Sequence, residues 1–138
     1  MRLLALDYGT KRVGVAVSDE MKMIAQPLEF IPAHPFEKLV LRLKKIISEK
    51  EVEQIVVGMP RNMNGSYGDA ARAVNAFIVA LNEAIVMPIT TWDERLTSTQ
   101  ANRFLAEGKV KPSKRREKVD KTAAAIILQS YLDSLFGK

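Results

Sequence analysis

One hundred and thirty-eight residues, 47% hydrophobic and 27% charged, make one domain spanning 1–138 the expected organisation. Domains most often run about 100–150 residues, and this composition excludes a disordered chain. With no cysteine and one histidine, disulfide frameworks, thiolate metal sites and thiol nucleophiles are excluded, while the net charge of +5 resides in one segment: residues 109–121 hold seven bases and two acids, the rest of the chain fourteen of each.

The N-terminus reads as strands. Residues 2–7 are short and apolar, and residues 12–18 alternate around Val13, Val15 and Val17. Tyr8-Gly9-Thr10-Lys11 between them has the length of a hairpin turn. A third run, residues 23–31, contains Pro27, which marks an edge strand or an irregular one. From Phe36 to Lys50 the period changes: Phe36, Leu39, Val40, Leu43, Ile46 and Ile47 stand at helical spacings of three and four. Residues 54–58 are a fourth strand and residues 62–68 a loop. Residues 69–84 are an alanine-rich helix with Val74, Phe77, Ile78 and Leu81 on one side, and residues 88–92 are a fifth strand. A short helix over 97–106 stops at Gly108. The basic strip follows as a mobile loop interrupted by Pro112 and Ser113, and residues 117–135 form the last helix.

The order β-β-β-α-β-α-β-α-α predicts an α/β domain with a mixed five-stranded sheet and helices on its faces. Right-handed crossovers set the fourth and fifth strands parallel to the first, on its far side. No apolar run approaches the roughly 20 residues that a membrane-spanning helix needs, and the run from Leu3, broken at Asp7, is no signal peptide.

Three carboxylate positions stand out. Asp7 ends a buried-looking strand, where an unpaired carboxylate is costly and where ligands of α/β sheets gather; a turn-forming Asp is the bland alternative. Gly9 to Gly14 follows at once. Glycine lets backbone approach a phosphate, and Lys11 and Arg12 complement its charge. Asp93 and Glu94 end the fifth strand, where parity turns one of them toward the site; both as helix caps, or Asp93 paired with Arg95, are the bland readings. Asp120 shares a helical stripe with Ala124, Ile127 and Tyr131, although the helix dipole alone would account for an acid there. Three carboxylates converging on one sheet edge suit a hard cation held by oxygens, such as Mg²⁺. Two such ions about 3.5–4 Å apart activate water and stabilise the leaving oxygen in phosphodiester cleavage. The basic strip would then bring a phosphate-rich partner, a solvated loop being the alternative. His34 reads as an exposed loop residue, Trp92 as a strand residue under a helix, and Met59 and Met63 as space fillers.

Together, Asp7 to Gly14, Gly58-Met59-Pro60 with Asn62 and Gly65, Asp93 to Thr97, and Val119-Asp120 with Ala123-Ala124 and Ile127-Leu128-Gln129 resemble the YqgF family. Its members are also called RuvX, pre-16S rRNA nucleases or Holliday junction resolvase-like proteins. The resemblance covers nearly the whole chain. It implies an RNase H-like fold and a cytoplasmic, Mg²⁺- or Mn²⁺-dependent nuclease, monomeric or homodimeric. It implies Asp7, Glu94 and Asp120 as the catalytic, metal-binding triad, with Asp93 as the alternate ligand. Lys11, Arg12, Arg95, Lys114, Arg115 and Arg116 are then nucleic-acid contacts. The favoured substrate is the 5′ end of pre-16S rRNA and the alternative a four-way DNA junction. A phosphate-loop ATPase is set aside because that chemistry needs two such domains, and a non-catalytic RNA-binding assembly factor remains the other class.

Overall fold

The computed structural model describes residues 1–60, 68–93 and 112–135, with side chains of the last segment from Ala123 onward. Five strands form one sheet: β1 (Arg2–Tyr8), β2 (Arg12–Ser18), β3 (Ala25–Pro32), β4 (Val52–Met59) and β5 (Ile89–Asp93), in the order β3-β2-β1-β4-β5. The first three are antiparallel, and β4 and β5 run parallel to β1. The expected mixed sheet and its far-side parallel strands are both present. β3 is the edge strand that Pro27 announced, and the register with β2 shifts between Val15 and Ala16, just where Pro27 cannot donate to the ladder.

Side-chain alternation sorts the strands into two cores. Leu4, Leu6, Val13, Val15, Val17, Ile55 and Val57 face one side. There they meet α1 (Phe36–Lys50), through Leu39, Leu43 and Ile46, and α2 (Asp69–Ala84), through Val74, Phe77 and Leu81. Leu3, Ala5, Ala16 and Val56 face the other side and are covered by α3 (Pro112–Leu135) through Ala124, Ala125, Ile127, Leu128 and Leu132. Ala5 and Ala16 are direct cross-strand partners. Their small side chains, opposite Ala124 and Ala125, let the helix lie close to the sheet. No described helix is long and apolar enough to cross a membrane.

Polar contacts fix how the layers sit. Gln129 on α3 accepts from the Ala25 amide and donates to the Met23 carbonyl, both at 2.9 Å, which ties the helix to the β2–β3 hairpin. On the opposite face Arg42 of α1 makes a two-pronged bond to Glu29 of β3, at 2.8 and 2.5 Å. That guanidinium holds the Glu29 carboxyl below its usual range.

One expectation is overturned. Residues 112–116 are helical, and α3 starts at Pro112 instead of near residue 117. A proline is a breaker only inside a helix. In the first turn its missing N–H would have had no partner, and its fixed φ already suits the helix. The helix read over 97–106 and the loop read over 62–68 lie largely outside the described residues.

Candidate active site

The carboxyl ends of β1, β4 and β5 point the same way. Asp7 lies one residue past the Leu6–Val57 rung, and Gly58, which follows Val57, is paired with Trp92. Asp93 is one rung further on, opposite Met59. Two strand spacings separate β1 from β5, about 10 Å, so long side chains at these ends share one sheet edge.

Parity then decides which face each residue takes. Leu3 and Ala5 pack under α3, so Asp7 belongs to the face of α3, while Tyr8 turns to the other face and stacks on Phe77 with ring centroids 4.5 Å apart. On β5, Gln54 bridges Thr90 Oγ1 at 2.6 Å and the Tyr131 hydroxyl at 3.2 Å. The Trp92 indole N–H donates to Ser130 Oγ at 3.0 Å, and its ring meets Tyr131 edge-on. Thr90 and Trp92 therefore face α3, with Asp7. Ile89 packs into the opposite core, and Asp93 shares its parity. Glu94 and Arg95 lie outside the described residues. Asp120 stands on α3 one turn before the buried Ala124, and its side chain lies outside the described residues. Among the described residues no three acids or histidines group as a metal cluster.

Half-buried Asp7 has an unusual neighbour. Its cross-strand partner is Gly14, where an added Cβ would lie 3.6 Å from the Asp7 Cβ and 3.3 Å from a Phe30 ring carbon. The absent side chain lets the Phe30 ring and the Asp7 side chain come together over Gly14 on the face of α3. A carboxylate oxygen donor in a chain without thiols fits a hard divalent cation.

The turn after Asp7 is held by the Gly9 amide donating to the Arg12 carbonyl at 3.0 Å, and by Ala33 donating to the Lys11 carbonyl at 3.0 Å. Lys11 and Arg12 are exposed on it. A Cβ at Gly9 would come within 2.7 Å of that Arg12 oxygen. Gly9→Ala is accordingly expected to distort the turn and cost about 1–3 kcal/mol, the usual range for overpacking. Thermal unfolding followed by circular dichroism measures it, and an unchanged midpoint would show that the turn yields freely. On the side of α2, a cleft of about 280 Å³ opens at the same edge, lined by Asp7, Tyr8, Gly9 and Thr10 together with Pro60, Ala70, Ala73 and Val74, so Asp7 at its strand end also borders this cleft.

Other residues take the roles read from sequence. His34 is exposed between its prolines, Trp92 is packed under α3, and Met59 is buried in the core. Lys114, Arg115 and Arg116 occupy the first two turns of α3. One neighbour of the site escaped the sequence reading. Phe30, opposite Gly14 on β3, lies under the Arg12 guanidinium, whose carbon is 4.1 Å from the ring centroid. Only the register across three strands brings these residues together, and no local pattern reports it.

Comparison with known proteins gives a consistent result. A family model described as "RuvX: Holliday junction resolvase" matches residues 1–134. A Desulforamulus reducens protein named "Putative pre-16S rRNA nuclease" is 50% identical over 134 residues, covering 97% of this chain and 98% of its own. A Thermoanaerobacter pseudethanolicus protein of the same name is 47% identical with both chains fully covered. Among solved structures, Thermus thermophilus RuvC in complex with a Holliday junction substrate superposes with a TM-score of 0.61 at 17% identity, covering 100% of this chain and 97% of that one. The fowlpox virus Holliday junction resolvase gives 0.54 at 12% identity, covering 97% and 99%. At such identities the likeness shows the fold, which is RNase H-like.

Proposed function

This chain belongs to the RuvX family, and from that premise we propose that its single domain is a divalent-metal-dependent endonuclease that trims the 5′ end of pre-16S rRNA in the cytoplasm. The observation that carries the substrate is identity of 44–50% along nearly the whole chain to relatives bearing that name. Cleavage of four-way DNA junctions is the second reading, favoured by the description of the family model and by the RuvC neighbour solved on such a junction.

Asp7, Glu94 and Asp120 are the proposed metal-binding and catalytic carboxylates. In support, Asp7 stands on the face of α3 by strand parity and pairs with Gly14, Glu94 is the residue that follows β5 in sequence, and Asp120 is on the helix that covers that face. When bound, Mg²⁺ or Mn²⁺ supplies water activation and stabilisation of the leaving oxygen. The protein's share is to hold three oxygen donors in place and to align the phosphodiester against them. Lys11, Arg12 and Arg95 are the phosphate contacts proposed at the sheet edge.

Lys114, Arg115 and Arg116 are proposed to hold the substrate further out. Cations in the first turns of a helix work against its dipole, so helix stability does not account for three in a row at the start of α3. Their replacement together by Ala is expected to weaken binding to all sequences alike. The slope of log affinity against log salt should fall by about 0.7–0.9 for each lost contact. Fluorescence anisotropy across a salt series reads this, and an unchanged slope would show that the strip faces away from the substrate.

The deciding experiment incubates the purified protein with a labelled RNA spanning the pre-16S 5′ end, and separately with a four-way junction, in Mg²⁺, Mn²⁺ or EDTA. Metal-dependent cleavage of the RNA is expected. Cleavage of the junction alone would move the substrate to DNA, and tight RNA binding without cleavage in any metal would identify an assembly factor that keeps the fold.

A further inference from the structure

Phe30 is poorly explained by packing. It lies on the edge strand, is 37% exposed, and belongs to neither core among the described residues. Its partners are instead on the face of α3 beside Asp7. Gly14 separates it from Asp7 in the ladder, Phe30–Gly14–Asp7 forming one row across β3, β2 and β1. The ring leans over that glycine, which any side chain would crowd at 3.3 Å. On the ring sits the guanidinium of Arg12, two residues before Gly14 on the same face. Arg12 is exposed and makes no ion pair among the described residues.

An arginine on a strand end would ordinarily sample many rotamers. Here the ring's negative face attracts the cation and restrains the planar group. Among the described residues no carboxylate pairs with it, and its strand neighbour Gly14 is the ladder partner of Asp7.

We infer that Phe30 is a positioning residue, whose ring holds the Arg12 guanidinium ready for a backbone phosphate of the substrate strand beside Asp7. The inference rests on the nuclease reading and adds to it a residue that never touches substrate. A phosphate is the ligand that suits an arginine held by its face, because the edge of the group remains available for two parallel N–H···O bonds. Preorganisation reduces the rotamer entropy lost when that phosphate binds.

The test is a double-mutant cycle of Phe30→Leu and Arg12→Gln, with Phe30→Tyr as the conservative variant. Binding to a fluorescein-labelled RNA spanning the pre-16S 5′ end is read by anisotropy across a salt series in Ca²⁺, and cleavage is read in Mg²⁺. Arg12→Gln should reduce the salt slope by about 0.7–0.9, one phosphate contact. Phe30→Leu should weaken binding in the same direction when Arg12 is present and change nothing further in the Arg12→Gln background, the non-additivity expected of residues acting through one another. Phe30→Tyr keeps the ring face and should keep the wild-type slope. A Phe30 that merely supported the edge strand would weaken binding equally in both backgrounds, and that result would overturn the inference, as would wild-type behaviour of Phe30→Leu. If the unaltered protein neither binds the RNA nor cleaves it, the nuclease reading falls and this inference with it. If the unaltered protein does both and the cycle is additive, only the positioning role falls.

Discussion

Asp7→Asn should abolish metal-dependent cleavage while leaving the fold in place. Asparagine matches the shape of aspartate but carries no charge, and a hard dication is held chiefly by charge. Asp7 is the one member of the proposed triad whose strand and side chain lie among the described residues, on the face of α3 and beside Gly14. Loss of a single group that stabilises charge in an active site typically reduces rate by about 10²–10³-fold, and loss of a ligand that also retains the ion should reach at least that. Stability should change little, because Asp7 is only half-buried at a strand end and the backbone ladder to Gly14 is untouched. The measurement pairs cleavage rates across a Mg²⁺ series with thermal unfolding of the same preparation. Undiminished cleavage by a folded variant would remove Asp7 from the proposed triad, and collapse of the fold would show that Asp7 serves structure first.

Local periodicity carried most of the architecture. α1 and α2 have the bounds expected from their apolar spacing and flanking residues, Phe36–Lys50 and Asp69–Ala84. β4 was legible only in its apolar centre. It extends back from Gln54 to Val52 and on to Met59; Glu53 in the added part is paired with Lys22, a partner that no short window contains. The start of α3 was misread because Pro112 was weighed by type and not by position. Asp7 was legible as a site candidate because a carboxylate ending an apolar strand is an anomaly in one dimension. Phe30 was not, since its meaning depends on a row across three strands. Which face of β5 turns to the site was equally hidden, because the contact of Trp92 with Ser130 spans 38 residues.

That contact sharpens the remaining choice between neighbouring acids. Sequence parity separates Thr91 and Asp93 from Trp92 and Glu94 but leaves open which pair meets Asp7. Trp92 reaches Ser130 and Tyr131 on α3, Ile89 packs into the opposite core, and Asp7 follows Leu3 and Ala5 toward α3. Asp93 thus takes the face away from Asp7. Asp93 itself is thereby disfavoured as the ligand, and Glu94, which follows β5 in sequence, is the acid proposed for that role. Its longer side chain also suits a donor that reaches across β4 from the strand end. The expected result is that Glu94→Gln loses cleavage at every Mg²⁺ concentration, on the same scale as Asp7→Asn. Asp93→Asn should keep a substantial part, because strand parity turns its carboxylate to the face away from Asp7. The two variants keep shape and volume, so a Mg²⁺ titration of cleavage rates compares charge alone. Greater loss in Asp93→Asn would mean that the chain turns over immediately after Trp92 and that strand parity ends there. Complete loss in both would mean that the two carboxylates bind as a pair, one through the other.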